Sequence, residues 1–286
     1  MIELLKFTII IFIVGSVLQL GLEMSLRNAI SGLRNIRFVA YTILFGFLAG
    51  PLLSVVLALA LRLEQPYAQG LVLLGMTPTA PYLPMMVSRA HADPGYVPAI
   101  LLVSACLTIV VLPLALPYLI SNAAIDFITI ARPLALLILP PLAIGMVIFR
   151  TAPEVARVIR KIVKPLVSVS TVVMLCLCVI VYGRGFLEAA GSLAMVSQIL
   201  LLAGIAFAAL SFSARLEPDQ KSVLVLAMCT RNVGAALAPL YSIADVDDRL
   251  TVMIVLSVPA QLVVVFVFAG WFARKQKAAD RMQTCR

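Results

Sequence analysis

Charged side chains are scarce in this sequence, and their scarcity limits the chemistry that the protein can perform. Only 12% of its 286 residues are charged and 63% are hydrophobic, whereas roughly 25% of a soluble domain is charged. The sequence has one histidine, no HExxH or nucleotide-binding motif, and no acidic pair within an apolar run. Because an acid, a base and a nucleophile do not occur together, we do not expect an enzyme.

Cysteine is also used sparingly. The five cysteines, at 106, 176, 178, 229 and 285, follow no disulfide framework or metal-ligand spacing. Four of them lie in apolar runs and one lies in the C-terminal tail, so we expect no metal and no cofactor. The net charge of +9 is explained by orientation in a membrane, and we expect no nucleic-acid partner.

Long apolar runs are what the sequence has in abundance. Each run of about 20 residues is long enough to cross the hydrocarbon core of a bilayer as a helix. The loops are short, so residues 1–286 are predicted to form a single transmembrane domain. The predicted fold is an all-α polytopic membrane protein whose nine spans are 4–22, 37–61, 66–91, 96–120, 127–149, 163–183, 191–213, 219–243 and 249–272.

Lysine and arginine residues fall mostly on one side of this arrangement. With the N-terminus outside, sixteen of the 22 basic residues lie in the inner loops and the tail, and five lie outside. Basic loops of multi-span proteins face the cytoplasm. The sequence therefore predicts a bacterial-type inner membrane protein with its N-terminus outside and residues 273–286 as a cytoplasmic tail.

Two segments of the sequence resemble each other. RLEQPYAQGLVLLGMTP begins at Arg62, RLEPDQKSVLVLAMCTR begins at Arg215, and both contain Arg-Leu-Glu, Pro, Gln, a Leu/Val run and Met. They belong to the third and eighth spans, which insert in opposite directions. The pair predicts an inverted repeat of four plus five spans, about 1–120 and 127–272, an architecture common in transporters.

The same two spans contain residues that interrupt a helix. Residues 75–84, GMTPTAPYLP, include three prolines, and each proline removes a backbone donor. The sequence TRNVG at 230–234 interrupts the eighth span. Non-helical backbone survives at membrane depth only where protein buries it or a cavity adjoins it. Paired interruptions are typical of a transporter's binding site, although a kinked packing helix is the alternative for either one alone.

With these features the sequence resembles the bile acid:sodium symporter family. The crossing helices of that family read GxxPGGTASN and EVGxQNxGLA; Gly75 and Pro78 match the first, and Asn232 and Gly234 match the second. The resemblance covers nearly the whole chain, in a nine-span form without the first helix. It implies a core of spans 2–4 and 7–9 with two discontinuous crossing helices, a panel of spans 1, 5 and 6, and transport by alternating access.

The sequence departs from the family at the residues that would bind sodium. The Gly-Gly of the family corresponds to Thr79-Ala80, its Ser-Asn to Leu83-Pro84, and its glutamate and glutamine to Ala227 and Arg231. A sodium site of the family type is therefore not expected. Arg231 can supply a permanent positive charge instead and bind a carboxylate through two N–H groups. Alternatively, it pairs with backbone carbonyls that the interruptions leave free.

The predicted substrate site combines both interruptions with one residue of the ninth span. Gln261 can face the same cavity or join two helices, and Tyr82 can line the cavity. The predicted substrate-binding residues are Thr77, Pro78, Thr79, Pro81, Tyr82, Thr230, Arg231, Asn232, Gly234 and Gln261.

These features favour a secondary active transporter of a small organic anion, either a carboxylate or a bile-acid-like solute, that works without sodium. One alternative is a sodium-coupled symporter whose sodium site is rebuilt from threonine, asparagine and backbone oxygens. The other is a membrane sensor that binds its ligand without moving it, although the short loops contain no signalling domain. The expected partners are the anion and the lipid bilayer, and the sequence leaves the existence of a homodimer open.

Overall fold

The fold is helical throughout the part of the chain that the computed structural model describes, which is residues 1–120, 126–243 and 246–284. A short 3-10 turn, Pro94–Tyr96, precedes the sixth helix, and another, Ala238–Ser242, follows the twelfth. The helices are α1 (Ile2–Glu23), α2 (Leu26–Arg34), α3 (Ile36–Ala60), α4 (Gln65–Gly75), α5 (Leu83–Arg89), α6 (Val97–Leu119), α7 (Phe127–Thr151), α8 (Pro153–Val181), α9 (Gly183–Gly191), α10 (Ala194–Phe212), α11 (Pro218–Met228), α12 (Val233–Leu237) and α13 (Asp248–Thr284).

Seven of these helices are long and apolar enough to cross a membrane: α1, α3, α6, α7, α8, α10 and α13. Large apolar side chains on their outer surfaces are exposed, for example Leu52 at 66% and Phe207 at 65%. In a bilayer such side chains lie against lipid. An all-helical membrane protein is therefore confirmed, and each of the other two predicted spans, 66–91 and 219–243, is divided into shorter helices.

The helix bounds differ from the predicted spans where polar residues continue a helix. The sixth span was predicted from 163, whereas α8 begins at Pro153. Arg157, Arg160 and Lys161 lie in its first turns. Because the prediction followed apolar residues, it did not include this basic part of the helix, which would extend beyond the hydrocarbon core of the bilayer. The short helices α2 and α9 were not predicted for a similar reason, because neither is an apolar run.

The two similar segments of the sequence begin two helices of equal length. α4 and α11 each contain 11 residues, with Glu64 and Glu217 as their N-caps and a proline in the first turn. Proline is favoured there because the N–H groups of the first turn have no acceptor within the helix, so the N–H that proline lacks is not missed. Glu217 also forms a capping box with Gln220. The shared Arg-Leu-Glu and proline thus encode two matching helix starts.

Close glycine contacts hold α1, α7 and α8 together as one group. A Cβ on Gly145 of α7 would lie 2.7 Å from Leu18 O and 2.8 Å from Gly21 Cα, both in α1. A Cβ on Gly15 would lie 2.8 Å from Val167 Cγ2 of α8. The helices α3, α4, α10, α11 and α13 pack into a second group, and α6 contacts α7.

An ion pair joins the first turns of α4 and α13 at the protein surface. Arg249 Nη1 lies 2.7 Å from Glu64 Oε2, and its Nη2 lies 2.9 Å from Asp247 Oδ2. The hydrogen bond from Arg249 lowers the pKa of the Asp247 carboxyl, so this contact persists to a more acidic pH than an ordinary aspartate would allow. All three side chains are more than a third exposed, and such pairs contribute little to stability.

Candidate functional site

The two interrupted helices cross at their interruptions, and the place where residues 76–82 meet residues 229–232 is called the crossing below. Residues 76–82 connect α4 to α5, and residues 229–232 connect α11 to α12. Asn232 N donates to Thr77 O at 2.8 Å, and Thr79 N donates to Thr230 O at 3.1 Å. Pro78 and Arg231 lie between these bonds as an isolated antiparallel bridge. Backbone groups that have lost their helical partners therefore bond to the other interruption, as a site buried at membrane depth requires.

Two polar side chains of the second interruption satisfy further backbone groups. Thr230 Oγ1 accepts a hydrogen bond from Ala80 N at 3.0 Å and donates one to Ala227 O at 3.0 Å. Asn232 Oδ1 accepts from Ala235 N at 3.0 Å and so caps α12. Both oxygens already accept a backbone N–H. A cation bound at this point would have to compete with these bonds.

Each interruption is also held by a neighbouring long helix. Ser104 of α6 donates to Thr79 Oγ1 at 3.1 Å. Gln261 of α13 accepts through Oε1 from Arg231 N at 2.8 Å, and its side chain is buried. Gln261 therefore joins α13 to the crossing. It does not line the small cavity beside the crossing.

The Arg231 guanidinium is buried with most of its hydrogen-bonding capacity unused. The residue is 1% exposed. Its Nη1 donates to Thr230 O at 3.3 Å, while Nε and Nη2 have no hydrogen-bond partner among the described residues. Within that part of the chain no carboxylate forms an ion pair with it. Free donors on a buried permanent cation favour an anionic ligand.

A small cavity lies beside the crossing, between the two helix groups. Its volume is about 20 Å³, and Pro78, Thr79, Pro81 and Asn232 line it from the interruptions. The remaining lining comes from α1, α6 and α7, through Val17, Leu20, Leu101, Ser104, Ala105, Ile138 and Leu142. Pockets for small organic ligands are typically about 300–1,000 Å³. The conformation is therefore closed around a space that holds about one water molecule.

The other predicted residues are close to the crossing but not in the cavity lining. Thr77, Thr230 and Arg231 are buried within the crossing itself. The Tyr82 hydroxyl is buried and has no hydrogen-bond partner among the described residues. Gly234 packs against α1, since a Cβ there would lie 2.8 Å from Ile13 Cγ1.

The α6 and α7 side chains of the cavity were not identified from the sequence. Ser104 could have been identified, because it is a polar residue within an apolar run. The structure shows that it bonds to Thr79. Leu101, Ile138 and Leu142 had none, since nothing in an apolar run distinguishes the side chains that face a cavity from those that face lipid.

Thr79 adopts a backbone conformation that disfavours its side chain. Its φ is 72°, in the left-handed region, where a β-branched residue is strained. In the resemblance described above, this position corresponds to the first glycine of the motif GxxPGGTASN. The strain costs roughly 1–3 kcal/mol and is retained beside the cavity.

We expect Thr79→Gly to be more stable than Thr79→Ala, the reverse of the usual order of these two residues. Both variants lose the bond from Ser104, but only glycine relieves the positive φ, by about 1 kcal/mol. Thermal unfolding of the two purified variants in the same detergent measures the difference. A higher midpoint for the alanine variant would show that the backbone at this position is not strained.

Comparison with known proteins gives one family. The model of the Sodium Bile acid symporter family matches residues 8–189. A search of curated proteins finds no significant match. The family match includes the first interruption and ends before the second, so it does not include Arg231.

Proposed function

The chain belongs to the Sodium Bile acid symporter family, and from this premise we propose a secondary transporter that moves a small organic anion without sodium. Membership of the family supports a membrane transporter of bile-acid-like or other organic anions and a protein that is not an enzyme. The charge of the substrate, the coupling ion and the way the site opens are not given by family membership. We propose these from the geometry of the crossing.

The observation that carries the proposal is the buried Arg231 guanidinium, whose Nε and Nη2 have no hydrogen-bond partner among the described residues. A charged side chain at membrane depth costs at least about 2.5–3.5 kcal/mol, so a protein retains one there for a reason. If Arg231 only satisfied carbonyls freed by the interruptions, its donors would be used; instead Nε and Nη2 have no partner among the described residues. Arg231 does not line the closed cavity, so these two atoms would bind a carboxylate only once the site opens, in the planar, bidentate manner that arginine favours.

The hydrogen bonds of the crossing support an inverted repeat. Aligning Arg62 with Arg215 places Thr77 opposite Thr230, Pro78 opposite Arg231 and Thr79 opposite Asn232. A two-fold axis would then exchange the bond from Thr79 N to Thr230 O with the bond from Asn232 N to Thr77 O, and both bonds are present. The Pro78–Arg231 bridge would lie on that axis.

The repeat and the interrupted helices support nine spans and transport by alternating access. If α4 with α5 and α11 with α12 each count as one discontinuous span, they add to the seven continuous helices. The helices α1, α7 and α8 then form the panel, and the rest form the core. The cavity beside the crossing lies between these groups and is closed. A relative movement of panel and core would enlarge it for a substrate.

Sodium coupling is the second candidate, and the crossing disfavours it. The side-chain oxygens of Thr230 and Asn232 already accept backbone N–H groups. The guanidinium beside them would repel a cation. We propose that Arg231 supplies permanently the positive charge that a bound sodium ion would otherwise supply.

Uptake of labelled carboxylates into proteoliposomes tests the function. We expect saturable uptake in sodium-free choline buffer, at a rate that a sodium gradient changes by less than about twofold, because no bound cation is needed at the site. Uptake that requires the gradient would establish sodium coupling instead. Saturable binding without uptake would establish a sensor.

We further propose a bacterial-type inner membrane location with the N-terminus outside and the C-terminus in the cytoplasm. The asymmetry of the basic residues supports this orientation. Fusions placed after Arg286 test it: a cytoplasmic reporter should be active, and a reporter that works only in the periplasm should be silent. The opposite result would overturn the orientation and the count of nine spans.

A further inference from the structure

A second, larger cavity lies between α2 and the C-terminal end of α7, on the side predicted to be cytoplasmic. Its volume is about 720 Å³. Arg27 and Arg34 of α2 and Arg150 of α7 line it, and no carboxylate does. Within residues 1–120, 126–243 and 246–284 none of the three arginines forms an ion pair. Three exposed like charges around one open cavity repel each other, less strongly than buried charges would, and favour a shared anion.

The cavity also has an apolar part. Leu26, Ile30 and Phe149 contribute to its lining. Ile30 is 45% exposed although it lies between Arg27 and Arg34 on α2. A helix face that combines exposed apolar residues with arginines is typical of the boundary between headgroups and acyl chains. The cavity thus offers cationic and apolar contacts together.

The packing of α2 fixes the face that it presents. Ala29 and Gly32 are buried, and a Cβ on Gly32 would lie 2.5 Å from Ala99 Cβ of α6. The helix cannot rotate to hide Arg27 and Arg34 without breaking this contact. The fold therefore fixes the face of α2 that carries Arg27 and Arg34.

This cavity is separate from the one beside the crossing. On α7, Leu142 lines the small cavity and Phe149 lines the large one. Gly145 lies between them along α7 and packs directly against Gly21 of α1, and no residue lines both cavities. A ligand in the large cavity would not occupy the proposed substrate site.

We propose that the large cavity binds the phosphate group of an anionic lipid from the leaflet on that side, with the start of an acyl chain against Leu26, Ile30 and Phe149. Arginine binds phosphate through paired N–H donors, and basic residues near a membrane surface attract anionic lipids. The proposal is independent of the transported anion. A phosphate ester that also carries acyl chains uses both the arginines and the apolar lining.

Native mass spectrometry of the full chain in detergent, with mixed phosphatidylglycerol and phosphatidylcholine, tests the proposal. We expect wild type to retain phosphatidylglycerol selectively. The variant Arg27→Gln/Arg34→Gln/Arg150→Gln should lose affinity at least about tenfold. A matched control, Arg160→Gln/Lys161→Gln/Lys164→Gln, removes the same charge on the same side outside the cavity, and should lose less than about threefold. The single variants Arg150→Gln and Arg160→Gln, expected to lose about fivefold and less than about twofold, keep the test valid if the triple variant does not fold.

Each remaining outcome overturns the proposal. An equal loss in the two triple variants would mean that the lipid senses only the net charge of that side. No loss in the cavity variant would mean that the arginines do not bind lipid. Complete displacement of phosphatidylglycerol by an equal concentration of soluble glycerol phosphate would mean that the cavity binds a free anion. None of these results depends on whether the protein transports a carboxylate.

Discussion

Replacing Arg231 by glutamine is expected to abolish sodium-free binding of the anion while making the substrate-free protein more stable. Removing one partner of a buried charged contact costs about 2–5 kcal/mol, so binding should weaken roughly thirtyfold or more. The substrate-free protein loses a buried cation whose Nε and Nη2 are unpaired within the described residues. Its free energy of unfolding should rise by about 1–3 kcal/mol.

The combination of these two effects distinguishes the two interpretations of Arg231. A residue with only a structural role would, when replaced, leave Thr230 O with the single bond from Thr79 N and remove a buried side chain from the crossing, so the variant would unfold at a lower temperature. Uptake in choline buffer and thermal unfolding, measured on the same preparation, therefore decide the matter. A glutamine variant that folds and transports normally without sodium would show that Arg231 does not bind the substrate.

Two further variants refine the result. Arg231→Lys keeps the charge but loses the planar pair of donors, so we expect it to bind the anion more weakly than wild type and better than the glutamine variant. Glutamine at 231 alone should not create sodium dependence, because the buried residue Ala227 stands where the resemblance to the family implies a glutamate. Sodium dependence is expected only when Ala227→Glu is added. Its appearance in the single variant would show that another group supplies the missing oxygen.

Replacing Gly145 by leucine is expected to separate α1 from α7 and to destabilise the whole protein. The Cβ of any side chain here would meet Leu18 O at 2.7 Å and the Cα of Gly21 at 2.8 Å. These are backbone atoms, which cannot move aside as a flexible side chain can. Overpacking typically costs about 1–3 kcal/mol, and a contact between two backbones places this variant at or above the upper end of that range.

The matched control is Gly270→Leu, the same change within α13. A Cβ at Gly270 meets no atom within 4 Å, and removing a glycine from a helix gains about 0.5–1 kcal/mol. We expect the control to keep or raise the thermal midpoint and the Gly145 variant to be poorly monodisperse after extraction. If both variants behave alike, the close approach of α1 and α7 does not hold the panel together.

The part of the fold that is encoded locally could be predicted from the sequence. The length of an apolar run, the positions of prolines and the polar break at 230–234 are local properties, so the seven long helices and both interruptions were predicted close to where the structure has them, except for the start of α8. The similarity between the segments at Arg62 and Arg215 predicted two equivalent helices, and α4 and α11 begin alike and have the same length. The basic N-terminal part of α8, from Pro153, was missed because hydropathy identifies only the apolar residues that lie in lipid.

The candidate site could be predicted only in part, because its members come from distant parts of the chain. The interruptions identified Thr77–Pro81 and Thr230–Gly234, since a broken helix must place its free backbone groups somewhere. Gln261 remained open between two roles until the structure showed it accepting the Arg231 amide from α13. The cavity residues of α1, α6 and α7 are ordinary apolar side chains, and only the packing of the helices selects them.

Hydropathy, the prolines of the first interruption and the polar break of the second by themselves therefore determined that the chain is a helical membrane protein with two interrupted helices, because each acts over a few residues. The tertiary structure alone decided the partners of those interruptions. It placed Pro78 against Arg231, left the guanidinium buried with unused donors among the described residues, and closed the adjacent cavity. It also brought Arg27, Arg34 and Arg150 around one cavity. Contacts such as these depend on how helices that are far apart in the sequence pack together. A local sequence pattern does not predict that packing.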